Sequence, residues 1–302
     1  MDADLDTLAT ALYVTIDDLV RNNPNLLPPR PRVSIDPQVS DAELVTMAVV
    51  AMLLRVDNES RWVRYCRANL RHLFPYIPLQ PGYNKRLRKL PHLMLAVMRH
   101  LIHATWASDD DLLLVDSTPI ECGRSRETAK RSDLAGIAEY GYCASHSRYF
   151  WGMRLHLITT RHGLPITFAL TGAKADERQV LLGLLDDPCL TCHAPATLAA
   201  DGFYYGKELE TGLAATGFTL LRKPRGTDTP EPEKYLLGKI RMTIESVFDT
   251  LKDQLTLEHH HALTLQGLCV RVAQRLLALT TAIWHNANTG QPVLRSLTAY
   301  DH

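Results

Sequence analysis

Three acidic residues stand where a charged side chain needs a chemical reason. Asp116 follows directly on the apolar run 112–115, Asp201 closes a shorter apolar run, and Glu245 lies in the helical pattern of residues 234–255. A carboxylate within or at the end of a buried segment is costly to desolvate unless it is paired with a cation or binds a metal ion. The three residues are therefore candidates for one shared site.

Asp201 has the clearer local setting of the two aspartates. Gly202 follows it and lets the chain turn at low conformational cost. The end of a strand, in a sheet with helices on both faces, is where such folds bind ligands. For Asp116 an alternative stays open: the strand has already ended, and Asp116 opens a turn that Ser117 and Pro119 complete.

Converging carboxylates would bind divalent cations. Three of them repel one another unless cations neutralise their charge. Mg²⁺, or Mn²⁺, prefers oxygen ligands of this kind. Two such ions held about 4 Å apart clamp the attacking and leaving oxygens of a phosphoryl displacement. The residue types thus predict Asp116, Asp201 and Glu245 as both catalytic residues and metal ligands, with two ions.

Two cations accompany Glu245 along its predicted helix. Arg241 lies four residues before it and Lys252 seven after, so all three share one face of an α-helix. We predict that both cations contact DNA phosphate beside the metal ions. The alternative for Arg241 and Glu245 alone is a surface ion pair, which contributes well under about 1 kcal/mol.

Strands and helices alternate around these residues, which predicts a mixed sheet with helices on both faces. Residues 153–159 and 165–170 form a predicted hairpin around Gly163, and residues 121–150 are polar and rich in turn formers. The predicted strands are 112–120, 153–159, 165–170, 197–200 and 218–221, and the predicted helices are 176–185, 207–215, 234–255 and 265–286.

The N-terminal third has a different character, although the whole chain of 302 residues has 33 basic and 33 acidic residues. Helical patterns cover 41–55, 58–74 and 83–106, and residues 55–103 contain ten Lys or Arg against two acids. Three short helices with basic faces predict a helix-turn-helix-like region that binds DNA. An ordinary solvated helical bundle is the alternative. The candidate DNA contacts are Arg64, Arg67, Arg71, Lys85, Arg86, Arg88 and Lys89.

The order and spacing of four motifs resemble the DDE transposases of bacterial insertion sequences. The motifs are Val-Asp-Ser-Thr-Pro at 115–119, Ser-Arg-Tyr-Phe-Trp-Gly-Met-Arg-Leu-His at 147–156, Leu-Ala-Ala-Asp-Gly-Phe-Tyr at 198–204 and Arg-Met-Thr-Ile-Glu-Ser-Val-Phe at 241–248. The resemblance covers nearly the full chain and is strongest to the group named after insertion sequence nine-eight-two. Of the Tyr-Arg-Glu-Lys signature of several such families, Arg241, Glu245 and Lys252 are present, and Gly238 replaces the tyrosine.

The resemblance implies an RNase H-like catalytic domain over 107–302, including the C-terminal helix, after a helical DNA-binding region over 1–106. It implies metal-dependent DNA cleavage followed by strand transfer, with double-stranded DNA (terminal inverted repeats and target) as partner and a homodimer on DNA. The alternatives are an RNase H-like nuclease that does not join strands and a domesticated DNA-binding protein. We expect a cytoplasmic, nucleoid-associated protein without a membrane span, since no apolar run is long enough.

Two further patterns could bind a metal or haem. Cys189, Cys192 and His193 fit the pattern for covalent haem attachment, but haem attachment needs export and no signal peptide is apparent. A structural zinc site needs four ligands, and no second cysteine pair follows at finger spacing. The run 259–261 is three histidines near the predicted end of the long helix, where a positive charge is favourable. We expect no haem, and histidines that are solvated or adjacent to DNA.

Overall fold

The computed structural model describes residues 4–29, 37–143, 147–222, 237–292 and 297. The chain divides into two compact units. The first comprises 1–101, 250–290 and 296–302, and the second comprises 102–249 and 291–295. No helix in the described parts of the chain is long and apolar enough to cross a membrane.

The first unit is helical. Its helices are α1 (Leu5–Asn22), α2 (Asp41–Leu53), α3 (Glu59–Asn69), α4 (Gln80–Leu87), α5 (Pro91–His103, whose last two residues fall in the second unit) and α11 (Leu265–Asn288), with 3₁₀ turns at Pro24–Leu26 and Leu257–His259. Helix α2 is buried nearly all round because α1, α4 and α11 pack against it. Helix α11, which was predicted as part of the catalytic region, packs in this unit against α2 and α1.

Local capping explains where the helices of this unit begin. The Ser40 hydroxyl accepts a hydrogen bond from the Glu43 amide at 3.0 Å, and the Glu43 carboxylate accepts one from the Ser40 amide at 2.6 Å. This capping box satisfies two amides that the helix itself leaves without partners. Asn58 caps α3 through the Arg61 amide. The predicted starts of both helices are confirmed. The predicted helix over 83–106 is wrong in extent: it is the end of α4 followed by α5, which starts at Pro91.

The second unit contains a six-stranded sheet in the order β2-β3-β1-β5-β6, with β4 paired to β3. The strands are β1 (Leu112–Gly123), β2 (Glu139–Cys143), β3 (Arg148–Thr160), β4 (Pro165–Gly172), β5 (Ala196–Ala200) and β6 (Phe218–Arg222). Strands β1, β3 and β4 pair antiparallel, and β1, β5 and β6 pair parallel. The mixed sheet and the hairpin at Gly163 are confirmed.

Helices flank this sheet, as predicted. They are α6 (Arg126–Arg131), α7 (Glu177–Leu184), α8 (Pro188–Thr191), α9 (Lys207–Ala215) and α10 (Leu237–Asp249), with a 3₁₀ turn at Trp106–Ser108. A π-helical turn, Thr250–Gln254, follows α10 directly and belongs to the first unit. The start of the predicted helix 234–255 falls outside the described residues, and its end is not α-helical.

The segment 121–150 differs most from its prediction. Strand β1 continues to Gly123, helix α6 follows, and β2 pairs antiparallel with β3. The turn that was the alternative for Asp116 is also wrong, because Asp116 lies inside β1 and pairs with Leu157 of β3. Polar composition alone gave the wrong prediction, because β2 alternates exposed and buried residues and so includes polar ones.

Candidate active site

Asp116 is placed by the central strand of the sheet. The preceding residues, Leu113, Leu114 and Val115, are buried and fix the strand in the core. The Asp116 side chain is 22 % exposed, and its Oδ1 accepts a hydrogen bond from the Ser117 amide at 2.8 Å. Burial raises the pKa of Asp116 to about 6, although the Ser117 amide and the Arg241 guanidinium act in the opposite direction. The carboxylate thus lies in a setting that disfavours its charge.

Asp201 comes to the same region from the neighbouring strand. It follows β5, which pairs parallel with β1, so the carboxyl ends of the two strands point the same way. Its side chain is 26 % exposed and accepts a hydrogen bond from the Phe203 amide, which holds the turn after the strand. The predicted position at a strand end is confirmed.

Glu245 comes from α10, which packs on β1 and β5. Ile244, Val247 and Phe248 are buried and anchor the helix, whereas the Glu245 side chain is 57 % exposed. The helix therefore buries its apolar face and presents the carboxylate at the edge of the core, where a ligand can reach it.

One guanidinium lies among all three acids. The Nη2 atom of Arg241 is 3.9 Å from Asp116 Oδ2, 3.8 Å from Asp201 Oδ2 and 3.7 Å from Glu245 Oε1. Its side chain is only 15 % exposed. No two of these three oxygens can be further apart than the sum of their own distances to Nη2. The fold thus brings the three predicted carboxylates together around one positive charge, a convergence that the helix spacing of Arg241 and Glu245 alone did not establish.

The donor set of this site fits a hard divalent cation. Three carboxylates converge and offer only oxygen atoms, which Mg²⁺ and Mn²⁺ prefer. Among the described residues, no group of three acidic, histidine or cysteine side chains is already close enough together to hold a metal. The Arg241 guanidinium stands between the acids and neutralises part of their charge.

A fourth carboxylate, which no sequence motif predicts, lies beside this site. Glu177 at the start of α7 accepts hydrogen bonds from Ser117 Oγ at 2.5 Å and from Arg154 Nη1 at 2.8 Å. Arg154 Nη1 also donates to Ser117 Oγ at 3.0 Å. The Glu177 charge contributes to the raised pKa of Asp116. The only sequence signal was the position of Ser117 next to Asp116 in a motif.

Tyr204 is buried close to these carboxylates. It is 1 % exposed, and its hydroxyl has no hydrogen-bond partner among the described residues. Burial raises its pKa well above the ordinary value, and the charges of Glu177, Asp116 and Asp201 add to the effect. Its hydroxyl therefore stays protonated and can donate a hydrogen bond.

The structure places Lys252 differently from its prediction. It lies in the π-helical turn Thr250–Gln254, where the spacing of an α-helix does not hold. It also belongs to the first unit, whereas Glu245 belongs to the second. The argument that Lys252 shares a helix face with Glu245 is therefore wrong, and its DNA contact stays a prediction that rests on the resemblance.

The predicted DNA-binding cations of the first unit divide into two kinds. Arg67 donates to the carbonyls of Pro78 and Ile77 at 3.0 and 3.4 Å, and Arg86 forms an ion pair with the buried Asp41. These two guanidiniums make contacts within the unit. The remaining five are exposed at the surface: Arg64, Arg71, Lys85, Arg88 and Lys89.

The cysteine and histidine patterns do not form metal sites in the described parts of the chain. None of the six cysteines, all of which lie in the described residues, forms a disulfide bond, and Cys192 Sγ donates to the carbonyl of Cys189. His261 lies 3.3 Å from Asp57, and the buried His260 accepts a hydrogen bond from the Ala262 amide. These contacts are structural.

Comparisons with known proteins concern the family and the fold of the chain. A comparison with curated proteins gives no match. The cryo-EM structure of a piggyBac transposase synaptic complex with hairpin DNA is similar, with a TM-score of 0.50 over 98% of this chain and 78% of that chain, at 10% sequence identity. At this identity the likeness concerns the fold alone. Residues 107–281, more than half of the chain, match the family described as "Transposase DDE domain". The chain therefore belongs to the family of transposases with a DDE domain.

Proposed function

We propose that the protein catalyses metal-dependent cleavage and strand transfer of DNA at the ends of an insertion sequence. One observation carries the proposal: Asp116, Asp201 and Glu245 converge within 3.9 Å of a single nitrogen of Arg241. The strand order and the family support an RNase H-like domain. The assignment to the group named after insertion sequence nine-eight-two rests on the four sequence motifs.

The reaction consists of two phosphoryl transfers. Water attacks a phosphorus atom, the bond to the 3′ oxygen breaks, and a 3′ hydroxyl is released. That hydroxyl then attacks a phosphorus atom of the target strand, whose own 3′ oxygen leaves. One phosphodiester bond forms for each one broken in the second step, so no external energy source is needed. Asp116, Asp201 and Glu245 would hold two Mg²⁺ or Mn²⁺ ions, which supply activation of the attacking oxygen and charge stabilisation of the leaving oxygen.

Arg241 has a defined task in this scheme. In the absence of metal its guanidinium neutralises part of the charge of the three acids. Once cations take over that role, the guanidinium is available for a DNA phosphate, which it binds with two parallel hydrogen bonds. Arg241 would thus exchange carboxylates for a phosphate as the site is filled.

The first unit would supply most of the DNA affinity. Its exposed cations, on helices that we assign to a helix-turn-helix-like region, suit the phosphates of the terminal repeats. Lys252 is a further candidate phosphate contact. Strand transfer at two ends also favours a homodimer on DNA.

The decisive experiment incubates the purified full chain with a DNA fragment from the end of its own element, a target plasmid and Mg²⁺. We expect nicked ends and joined products, and each change of Asp116 or Asp201 to Asn, or of Glu245 to Gln, should abolish both. DNA binding without metal should persist in these variants. Asp186→Asn, an exposed aspartate outside the site, is the matched control and should stay active.

Each other outcome has a defined meaning. Nicked ends without joined products would show a nuclease rather than a transposase. DNA binding with no metal-dependent nicking would show a domesticated DNA-binding protein. An Asp201→Asn variant that nicks at the wild-type rate would refute the assignment of the site.

A further inference from the structure

An open pocket lies in the second unit, away from the acidic residues. It has a volume of about 540 Å³ and is lined by Arg126, Ala129 and Lys130 of α6 and by Tyr140 and Trp151 of the adjacent strands β2 and β3. Volumes of this size hold a small-molecule group such as a nucleotide. These residues are not part of the acidic site described above.

The aromatic side of the pocket is firmly built. Tyr140 and Trp151 lie directly opposite each other in the register of β2 and β3. A side-chain carbon added at Gly123 would come within 3.2 Å of the Trp151 ring and 2.8 Å of Thr128, so the indole packs closely over this glycine. Trp151 is 6 % exposed, whereas Tyr140 is 52 % exposed. Trp151 is therefore a fixed wall, and Tyr140 is the ring that a ligand can contact.

The opposite side of the pocket is positively charged. Residues 124–131 contain four Lys or Arg and one acid, Glu127, which lies 3.7 Å from Lys130 and 3.5 Å from Arg131. Arg126 is exposed and has no ion-pair partner among the described residues. One face of the pocket thus suits a phosphate, and the other suits a flat ring.

This pocket shares a sheet face with the catalytic aspartate. Side chains alternate along β3, so Trp151 and Leu157 point to the same face, and Leu157 is the partner of Asp116 in the register of β1 and β3. Six residues of strand separate the two positions, which is about 20 Å. That is the length of about six base pairs. The side chains of Met153 and Leu155, which lie between the two positions on this face, are buried, so a DNA strand bound at both positions would pass over the elements that cover this face.

We propose that the pocket binds an unpaired base of the DNA strand held at the acidic site, with the base stacked on Tyr140 and its phosphate against Arg126 and Lys130. The inference rests on the proposed function, because it needs DNA at Asp116. Bases inside a duplex are stacked on one another and cannot lie on a protein ring, whereas an unpaired base can. A second exposed pair, Tyr142 and Tyr149, with ring centroids 5.0 Å apart, continues the same face.

The test measures DNA binding without divalent metal, so that no cleavage occurs. The probe is a duplex carrying a single-stranded extension of six thymidines with one 2-aminopurine, made with either strand extended, and a blunt duplex with terminal 2-aminopurine is the reference. Wild type should quench the extension base and bind the extended duplex more tightly. Tyr140→Ala should lose the quenching and about tenfold of that affinity, and Tyr140→Phe should retain both.

Charge variants test the other side of the pocket. Arg126→Gln with Lys130→Gln should weaken binding of the extended duplex and lower its salt slope by about two. Lys207→Gln, an exposed lysine on α9, is the matched control. The proposal is overturned if Tyr140→Ala binds the extension like wild type, or if blunt and extended duplexes are quenched alike. If either result is found and wild type still cleaves DNA with Mg²⁺, only the assignment of the pocket is refuted. If wild type neither binds nor cleaves DNA, the proposed function is refuted as well.

Discussion

Asp116→Asn should stabilise the metal-free protein while destroying its activity. Burial raises the pKa of Asp116 from 3.8 to about 6. For a carboxyl group, a raised pKa in the folded state means that the fold disfavours the ionised form. Well below pH 3.8 the group is protonated in both the folded and the unfolded state, so the penalty is absent. It grows as the pH rises through 3.8 to about 6 and is complete above that range.

The magnitude follows from the shift. Two pKa units correspond to about 3 kcal/mol of the free energy of unfolding. The free energy of unfolding of wild type should therefore be lower than that of Asp116→Asn by about 3 kcal/mol at pH 8 and by roughly 0.5 kcal/mol at pH 4. Denaturant unfolding of both proteins with a metal chelator measures this difference, and Asp186→Asn controls for the loss of one carboxylate.

Added Mg²⁺ provides the complementary measurement. A cation that binds the folded state alone stabilises it by mass action. At pH 8, Mg²⁺ should raise the free energy of unfolding of wild type and leave that of Asp116→Asn much less affected. The reasoning is refuted if the wild-type and variant stabilities differ by the same amount at pH 4 and pH 8, because desolvation of Asp116 would then be small.

Three further predictions concern other charged side chains. Arg241→Gln should lower the stability of the metal-free protein and weaken DNA binding, because the three carboxylates lose their shared cation. Arg241→Lys should restore part of both, as measured by thermal unfolding and by a DNA-binding titration. Arg64→Gln with Arg71→Gln should reduce the salt slope of DNA binding by about two if each contacts one phosphate, whereas Arg67→Gln should chiefly lower the unfolding temperature, because that arginine bonds two backbone carbonyls. Glu177→Gln should slow cleavage about tenfold or more at unchanged DNA affinity, as outer partners of metal sites do, and equal cleavage rates would show that Glu177 is only structural.

Single residues show why the sequence predicted some contacts and missed others. The partnership of Ser40 with Glu43 spans three residues and is visible as a pattern. The bond of Ser117 to Glu177 spans 60 residues, and that of Arg271 to Glu59 spans 212. Glu59, one of the two acids in the basic segment 55–103, is nearly buried and also accepts hydrogen bonds from Asn84 and Gln80. No local pattern reports such pairs.

The sequence by itself determined the strands that carry Asp116 and Asp201, the helix that carries Glu245, and the chemistry that three carboxylates would perform. Hydrophobic period, caps and turn residues act over a few neighbours, so they are readable in order along the chain. Only the tertiary structure decided that Arg241 sits among the acids, that Glu177 joins them, and that an aromatic and basic pocket shares their sheet face. Strand pairing and helix packing make those contacts between distant residues, and their geometry depends on the whole sheet rather than on any one segment.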